Sequence, residues 1–274
     1  MMSRIADPSI WPVASKRRTA AWAKLRTKKG RNTSGQLIVE GVRQVCEALI
    51  SECPVEALLA ADSPEGLASA RRVLAQVEHR SGEMFRLATR EFLRVCDTVH
   101  SAGVAAIINW QPAGWESFPS IRARHLLFCD RLADPGNLGT LVRTAAGLGM
   151  QAVLVGSNAV ELTNPKTIRA SAGAIFRIPV IADVPIEPFI AWCEAHRYIV
   201  YAADLTRGRA AIPQPPAGSG GWALVIGGET SGLDAAWSKG KVQWLRIPMQ
   251  RGVESFNAAV AGAILMDRLC QSGA

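Results

Sequence analysis

Residues 125–148 read HLLFCDRLADPGNLGTLVRTAAGL, an apolar run followed by a Pro-Gly turn and a second apolar pattern. The run His125–Cys129 has the length and composition of a buried strand. After the turn, apolar side chains recur at helical spacing from Leu138 to Leu148, and Gly149 can end that helix. The segment therefore predicts one strand–helix unit of an α/β fold.

The same alternation continues through residues 122–274. We predict strands at Ala152–Gly156, Ile178–Ile181, Tyr198–Ala203, Ala223–Gly227 and Val242–Ile247. We predict helices at Thr167–Phe176, Ile186–His196 and Ser255–Cys270. Proline, glycine and serine make Pro213–Gly221 a predicted loop. Strands that alternate with helices imply a parallel sheet covered on both faces.

A smaller α/β domain is predicted over residues 32–110, followed by a linker at 111–121 that contains proline and glycine. Its predicted strands are Gln36–Gly41, Val55–Ala60, Met84–Leu87 and Gly103–Ile108. Its predicted helices are Val42–Ser51, Pro64–His79 and Arg90–Val95, with Thr89 as a cap for the last of them. The apolar face of the first helix comprises Val42, Val45, Leu49 and Ile50. Residues 1–31 are interpreted as a basic N-terminal arm.

Composition favours a folded protein with an anionic partner. Of 274 residues, 49% are hydrophobic and 20% charged, which predicts a sizeable core and excludes global disorder. The net charge of +8 favours nucleic acid before membrane. The arm is either solvated and partly disordered, or a segment that contacts RNA phosphates and becomes ordered on binding. The predicted RNA-binding residues are Arg17, Arg18, Lys28, Lys29, Arg31 and, in the next domain, Arg43.

The cysteines and the N-terminal residues indicate the cellular compartment. Cysteines occur at 46, 53, 96, 129, 193 and 270 without a CxxC pair, and the histidines form no metal-ligand cluster with them. We expect reduced core thiols, no metal and a cytoplasmic location. The sequence begins without the apolar core of a signal peptide, and no stretch is apolar enough to span a bilayer, so we expect no membrane association.

Polar residues follow three of the predicted strands, where open α/β sheets bind ligands. In the first segment, Asp134 to Ala145, Arg143 lies off the apolar stripe of its helix, and the simplest interpretation is that its side chain forms a surface salt bridge. In the second, Leu224-Val225-Ile226 runs into Gly227-Gly228-Glu229, which is either a simple turn or a place where a ligand approaches the backbone. In the third, Ser255-Phe256-Asn257 opens an apolar helix, where it can cap the helix or help its N–H groups bind an anion.

In order and spacing, the three segments resemble the signature motifs of the SpoU/TrmH family, RNA ribose 2′-O-methyltransferases of the SPOUT superfamily. Asn137, Gly139 and Arg143 match the pattern NxGxxxRxA, and Gly227 to Leu233 match GxExxGL. The third segment follows IPMxxxxxSLNVSVA with departures at Phe256, Ala258 and Ala259, while Ser255 and Asn257 are retained. More loosely, residues 25–41 resemble the start of the family's L30e-like substrate-binding domain.

The resemblance implies a fold, a cofactor and a set of site residues. The fold would be an L30e-like domain followed by a SPOUT α/β domain with a deep trefoil knot, assembled as a homodimer. S-adenosylmethionine would contact Ala202, Ala203, Gly227, Gly228, Ile247, Met249 and Phe256. The catalytic residues would be Arg143, Asn137, Glu229, Ser255 and Asn257. Arg143 would act either as the base for the 2′-hydroxyl or as a phosphate clamp, since a guanidinium stays protonated, and Glu229 would fix both its own loop and Arg143.

The sequence leaves the substrate open. Because of the N-terminal domain, 23S rRNA is preferred over tRNA, and a non-catalytic RNA- or ribosome-binding protein on the same scaffold is the alternative from another class. A Rossmann-type nucleotide enzyme is disfavoured because no GxGxxG opens a helix after a first strand.

Overall fold

The structure is a computed structural model that describes residues 7–77, 82–96, 101–120, 124–210, 219–250 and 254–272. It comprises two compact units. The first unit contains Met1–Gln111 and Thr163–Arg177, and the second contains Pro112–Leu162 and Ile178–Ala274. This division differs from the predicted one in two ways, because the basic arm is part of the first unit and because residues 163–177 also belong to it.

The first unit contains a mixed four-stranded sheet. Its strands are β1 (Gln36–Glu40), β2 (Val55–Ala61), β3 (Glu83–Leu87) and β4 (Val104–Asn109), in the order β1-β4-β2-β3. β4 pairs antiparallel with both β1 and β2, and β2 pairs parallel with β3. The helices of this unit are α1 (Lys16–Ala23), α2 (Lys28–Ser34), α3 (Val42–Ile50), α4 (Pro64–Gln76), α5 (Thr89–Val95) and α7 (Pro165–Ala170).

The basic segment is folded, which contradicts a partly disordered arm, one of the two interpretations that the sequence left open. Ser15 and Thr27 cap α1 and α2 through their hydroxyl groups, and Gly35, with a φ of 71°, ends α2. Trp22 and Leu25 are buried in a core cluster with residues of β2, β3 and α5. Burial of these two large side chains supplies a driving force that a charge count does not reveal.

The predicted RNA-binding residues fall into two groups. The guanidinium of Arg31 is buried and donates from Nη1 to the carbonyl oxygens of Leu25 and Arg26, each at 3.0 Å. Burial lowers the pKa of Arg31. Its assignment to RNA contact is therefore wrong in this structure, and it holds the chain between α1 and α2. Arg18 is half-buried and pairs with Glu83 at 2.6 Å, whereas Arg17, Lys28, Lys29 and Arg43 are exposed.

Three smaller predictions in the first unit are corrected. Thr89 is the first residue of α5 rather than its cap, and no side chain caps this helix. Ile50, assigned to the buried face of α3, is 54% exposed, while Cys46 and Ala48 are buried. The predicted helix Pro64–His79 ends at Gln76 as α4, and His79 lies outside the described residues.

The second unit has the predicted parallel sheet. Its strands are β5 (His125–Asp130), β6 (Ala152–Gly156), β7 (Val180–Val184), β8 (Tyr198–Ala203), β9 (Gly221–Gly227) and β10 (Val242–Leu245). They are all parallel, in the order β10-β8-β9-β5-β6-β7. The helices are α6 (Pro135–Gly147), α8 (Ile186–Ala195) and α9 (Ala258–Ser272). Fully buried aromatic side chains, including Phe128, Phe189 and Trp237, fill the core on one face of the sheet.

Several boundaries in this part differ from prediction. The helix expected at Thr167–Phe176 is α7 followed by a separate 3-10 turn, Ala174–Phe176, because Ala172 and Gly173 take positive φ values of 51° and 86°. β7 begins two residues later than expected, α6 begins at Pro135, and α9 begins at Ala258 rather than Ser255. Of the predicted loop Pro213–Gly221, residues up to 218 lie outside the described residues, and Gly221 opens β9. All six cysteines are free thiols and five of them are buried, as predicted.

Candidate active site

The first segment of the site is the start of α6, directly after β5. Asp134 caps this helix, because its carboxylate accepts a hydrogen bond from the backbone N–H of Asn137 at 3.0 Å. Pro135 stands at the first helical position, where its missing N–H costs nothing. The cap fixes Asn137 in the first turn, at the carboxyl end of the sheet.

The second segment is a tight loop after β9, built on glycine. A Cβ on Gly227 would lie 2.7 Å from the carbonyl carbon of Gly232, and one on Gly228 would collide with the carbonyl oxygen of Arg131. Gly228 and Gly232 form a bridge, and Gly232 has a φ of 59°. Side chains at the first two positions would force the loop open. The glycines therefore set the position of Glu229 between them.

Glu229 joins all three segments through one oxygen atom. Its Oε1 accepts hydrogen bonds from Nδ2 of Asn137 at 2.8 Å and from Nδ2 of Asn257 at 2.7 Å. The backbone N–H of Ala258 donates to the same oxygen at 3.3 Å, and Nδ2 of Asn257 also donates to Oδ1 of Asn137 at 2.9 Å. The carboxylate also lies at the first N–H groups of α9, where a negative charge is favourable. Asn137, Glu229 and Asn257, called the Asn–Glu–Asn cluster below, thus bring together the segments that the sequence predicted to meet.

Asn257 performs the predicted capping role as well. Its Oδ1 accepts hydrogen bonds from the backbone N–H groups of Ala259 at 3.0 Å and Val260 at 3.3 Å. Its amide nitrogen is the group that contacts Glu229. The oxygen of this amide group therefore caps the helix, and the nitrogen of the same group helps to form the site.

A cavity of about 280 Å³ lies beside the Asn–Glu–Asn cluster. Its size is close to the lower limit of typical small-molecule sites. The walls are mostly apolar, with backbone exposed at the glycines. The predicted site residues that line it are Ala203, Gly227, Gly228, Glu229, Ile247, Ser255 and Phe256.

One wall of this cavity is the loop after β8, and an acidic residue organises it. Oδ1 of Asp204 accepts hydrogen bonds from the N–H groups of Thr206 and Arg207 at 2.9 and 2.8 Å, and Oδ2 accepts from Nε and Nη2 of Arg207 at 3.0 and 2.9 Å. Arg207 also donates to Ser238 at 2.8 Å, and its guanidinium lies 3.7 Å from the ring centre of Trp244. Burial would raise the pKa of Asp204, but the hydrogen bonds from Arg207 and Thr206 hold it at about 2. We call Asp204, Arg207 and Trp244 the β8-loop clamp.

A second buried carboxylate supports the loop of Glu229 from beneath. Asp130, the last residue of β5, is 2% exposed, and its Oδ2 accepts from the backbone N–H of Asp234 at 2.7 Å and from Nε1 of Trp237 at 3.0 Å. Burial raises the pKa of Asp130, and these two hydrogen bonds oppose the rise. The sequence prediction missed Asp130 and the β8-loop clamp. A carboxylate at or just after a strand end was the available signal, but its partners lie far away in sequence.

The remaining predicted residues lie apart from the cavity wall. Arg143 is exposed on α6, and no hydrogen bond or ion pair connects it to Glu229 among the described residues, so the predicted Glu229–Arg143 contact is absent there. Ala202 is fully buried in β8, so its side chain packs in the core. Met249 is half-buried and does not line the cavity.

The described residues contain neither a cluster of metal ligands nor a membrane-spanning helix. None of their His, Cys, Asp and Glu side chains form a group of three able to hold a metal ion. Their helices include none with the length and apolar character needed to cross a membrane.

Comparison with known proteins places this geometry in a family. The profile of the SpoU rRNA Methylase family matches residues 124–267, and that of the MRM3-like substrate binding domain matches residues 16–106. The chain is 32% identical over 258 residues to the 23S rRNA (guanosine(2553)-2′-O)-methyltransferase RlmP of Bacillus subtilis, covering 93% of this chain and 97% of that one. It is 28% identical over 261 residues to the 23S rRNA (uridine(2479)-2′-O)-methyltransferase of Streptomyces viridochromogenes, with 91% and 88% covered.

A solved structure agrees over the whole chain. The SpoU methyltransferase AviRb from Streptomyces viridochromogenes, in complex with the cofactor AdoMet, superposes with a TM-score of 0.80 at 25% identity, covering 95% of this chain and 100% of that one. The signature segments, the parallel sheet and the family profile all agree, and the chain belongs to the SpoU rRNA methylase family.

Proposed function

We propose that this protein transfers a methyl group from S-adenosylmethionine to a ribose 2′-hydroxyl of 23S rRNA. The observation that carries the proposal is the Asn–Glu–Asn cluster, in which Glu229 draws three distant segments together beside a ligand-sized cavity. The relatives named above act on 23S rRNA, and AviRb has been solved with AdoMet.

The cavity suits a nucleoside cofactor. Ile247, Phe256 and Leu233 offer apolar surface for a flat base, and the exposed backbone at Gly227 and Gly228 lets a ligand approach closely. These residues, with Ala203 and the β8-loop clamp behind the wall, would hold the cofactor. Bound S-adenosylmethionine would supply an activated methyl group on its sulfonium. The protein must then bind, orient and exclude water.

Arg143 is proposed to clamp an RNA phosphate and to stabilise the negative charge that develops on the acceptor oxygen. It lies six residues beyond Asn137, which is about 9 Å along the helix axis. Side chains on a helix lean toward its N-terminus, so the long side chain of Arg143 leans toward the first turn of α6, about 120° around the helix axis from Asn137. Because a guanidinium stays protonated, charge stabilisation is favoured over proton abstraction. Asn137 and Asn257 would orient the ribose or the cofactor, supported by Ser255.

The reaction is tested by incubating the protein with labelled S-adenosylmethionine and either unmodified 23S rRNA or bulk tRNA, followed by nucleoside analysis. A 2′-O-methylated nucleoside from 23S rRNA is expected. Labelling of tRNA alone would select the alternative substrate, and cofactor binding without transfer to either pool would reject the proposed substrate. If neither binding nor transfer occurs, the non-catalytic RNA-binding alternative is favoured.

The role of Arg143 has its own test. Arg143→Ala should lower kcat by roughly 100-fold or more, the usual cost of removing one charge-stabilising donor, while the Kd for S-adenosylmethionine changes by about 3-fold or less. Arg268→Ala, which removes another exposed arginine from the same unit, is the matched control. Near-normal turnover of Arg143→Ala would show that the site has been assigned to the wrong residue.

We also propose a homodimer and a trefoil knot in the second unit, as the family resemblance implies. Phe256 and Val260, at the start of α9, are 37% and 46% exposed, and burial of such apolar surface would favour self-association. Light scattering coupled to size exclusion should give twice the chain mass. The cytoplasmic location stays a prediction.

A further inference from the structure

The sheet of the second unit carries a row of cations at the edge opposite the candidate active site. Lys241, Arg197 and Arg124 are the residues immediately before β10, β8 and β5. All three strands are parallel within one sheet, so these residues share its amino edge. Neighbouring strands lie about 4.8 Å apart, which places Lys241 roughly 5 Å and Arg124 roughly 10 Å from Arg197 along this edge. We call this row the amino-edge cations.

Among the described residues, the position between Arg197 and Arg124 on this edge carries no side chain. The strand between them, β9, is preceded by Gly220, and a Cβ at this position would collide with the carbonyl oxygen of His196 and lie 3.1 Å from the ring of Tyr198. The row is therefore continuous.

The amino-edge cations keep their charges available. Each of the three is exposed, and they form no ion pair with any residue that the structure describes. Arg124 is close enough to Tyr198 that it opposes the rise in the tyrosine pKa caused by burial and by Cys193. Glu194 is the acidic residue that lines the cavity beside Arg197 and Lys241, and burial, together with the charge of Arg124, lowers the pKa of His125. The edge is thus net positive.

A second cavity opens between these cations. It has a volume of about 220 Å³, with Arg197 and Lys241 among its walls. Ile190, Val200 and Val242 supply apolar surface. Tyr198 also lines it and packs against Trp192 at 4.8 Å between ring centres. Cations beside an aromatic ring and an apolar floor are the combination that binds single-stranded nucleic acid, where phosphates meet charge and bases meet rings.

We propose that the amino edge is a second RNA-binding surface, where Arg124, Arg197 and Lys241 contact the phosphates of the RNA substrate and the cavity beside Tyr198 receives one base. This inference rests on the proposed function, which supplies the RNA. β8 begins at this surface and ends at the cofactor cavity, a span of about 17 Å for six residues. An RNA that contacts both ends of the sheet would be held across the unit, so these contacts would raise its affinity without touching the methyl-transfer site.

The test uses the full chain and the double variant Arg197→Gln, Lys241→Gln. Binding to a 23S rRNA fragment is measured as a function of KCl concentration, together with the Kd for S-adenosylmethionine and the kinetics of methyl transfer. Each lost phosphate contact lowers the slope of log K against log salt by about 0.7–0.9, so the double variant should lose about 1.4–1.8. RNA affinity should fall roughly tenfold at moderate salt. The KM for RNA should rise, while kcat at saturating RNA and the cofactor Kd stay within about twofold.

The matched control is Arg197→Lys, Lys241→Arg, which changes the same two exposed residues but keeps both positive charges at the amino edge. If the control weakens RNA binding as much as the amino-edge variant, or if the salt slope of that variant is unchanged, the second surface is refuted. If the wild-type protein neither binds nor methylates rRNA, the proposed function fails instead, and the two failures are thereby distinguished.

Discussion

The shared acceptor of the Asn–Glu–Asn cluster both orients the two asparagine side chains and carries a negative charge. Glu229→Ala removes both of these contributions, whereas Glu229→Gln removes only the charge. In Glu229→Ala, the donors of Asn137, Asn257 and Ala258 lose one common partner. Two of these bonds are short and one is long, and the site is partly open to water. A net of about 0.5–1.5 kcal/mol for each of the two short bonds, plus about 0.3–1 kcal/mol for the charge at the start of α9, predicts that the free energy of unfolding falls by about 1.3–4 kcal/mol.

Glu229→Gln keeps an amide oxygen in the position of Oε1 and removes the charge. In Glu229→Gln the free energy of unfolding should fall by only about 0.3–1 kcal/mol, because the charge interaction with α9 is lost and a neutral acceptor forms weaker hydrogen bonds. The activity should follow the same order, with a larger loss of kcat in Glu229→Ala because the two asparagine side chains are no longer oriented. Glu187→Ala, which removes an exposed carboxylate from α8, is the control.

The assay is urea-induced unfolding of the full-length variants, followed by a double-mutant cycle with Asn137→Ala. Direct contact between Glu229 and Asn137 predicts a coupling free energy of at least about 0.5 kcal/mol. If the two substitutions add without coupling, or if Glu229→Ala is no worse than Glu229→Gln in both stability and kcat, the cluster does not organise the site and the reasoning fails.

Three further substitutions test the surroundings of the site. The folded pKa of Asp204 is about 2, below the unfolded value near 3.9, so its stabilisation is present above pH 4 and is lost as the pH falls toward 2. Asp204→Asn should therefore cost about 2 kcal/mol at pH 7 and much less near pH 2.5, as measured by denaturation at both pH values, and should weaken cofactor binding. A Cβ on Gly262 in α9 would collide with the buried Leu141, so Gly262→Ala should destabilise by about 1–2 kcal/mol, whereas Gly147→Ala, with open space around it, should be neutral or stabilising by up to about 1 kcal/mol in thermal unfolding.

The sequence predicted the second unit well where hydrophobic runs were short and glycine marked their ends. β5, β6, β8 and β9 lie within one or two residues of their predicted positions, because a strand buried on both faces is an unbroken apolar run. The prediction failed at residues 167–176, where apolar residues continue at helical spacing. There Ala172 and Gly173 turn the backbone to positive φ and end the helix.

The N-terminal segment shows a different limit. The charges of residues 16–31 left a partly disordered arm open as one of two interpretations, although Trp22 and Leu25 lie within the same stretch and are buried. The family profile for the substrate-binding domain also begins at residue 16, within the segment assigned to the arm. Burial of Trp22 and Leu25 contributes to the order of this segment, together with the helix caps at Ser15 and Thr27 and the contacts of Arg31.

The residues of the site could be predicted only where the sequence shows both the spacing and the residue types of a motif. Motif spacing located Asn137, Glu229 and Asn257, which do meet in space. The β8-loop clamp could not be located in this way, because Arg207 and Trp244 are separated along the chain and are brought together by the pairing of β8 with β10 and by the bridge between Arg209 and Leu245. Contacts across strands follow from sheet order, and sheet order is not written in local sequence.

Asn257 shows that a residue at the start of a helix can cap that helix and belong to a functional site at the same time. Its oxygen caps α9 while its nitrogen binds Glu229, and the same carboxylate accepts the N–H of Ala258 in the first turn. Formation of the helix therefore positions the site, and formation of the site stabilises the helix. A capping residue that lacked an amide, such as serine, would satisfy the helix but leave Glu229 and Asn137 without their common donor. Asparagine fulfils both requirements at this position because its short side chain carries a donor and an acceptor on one rigid plane.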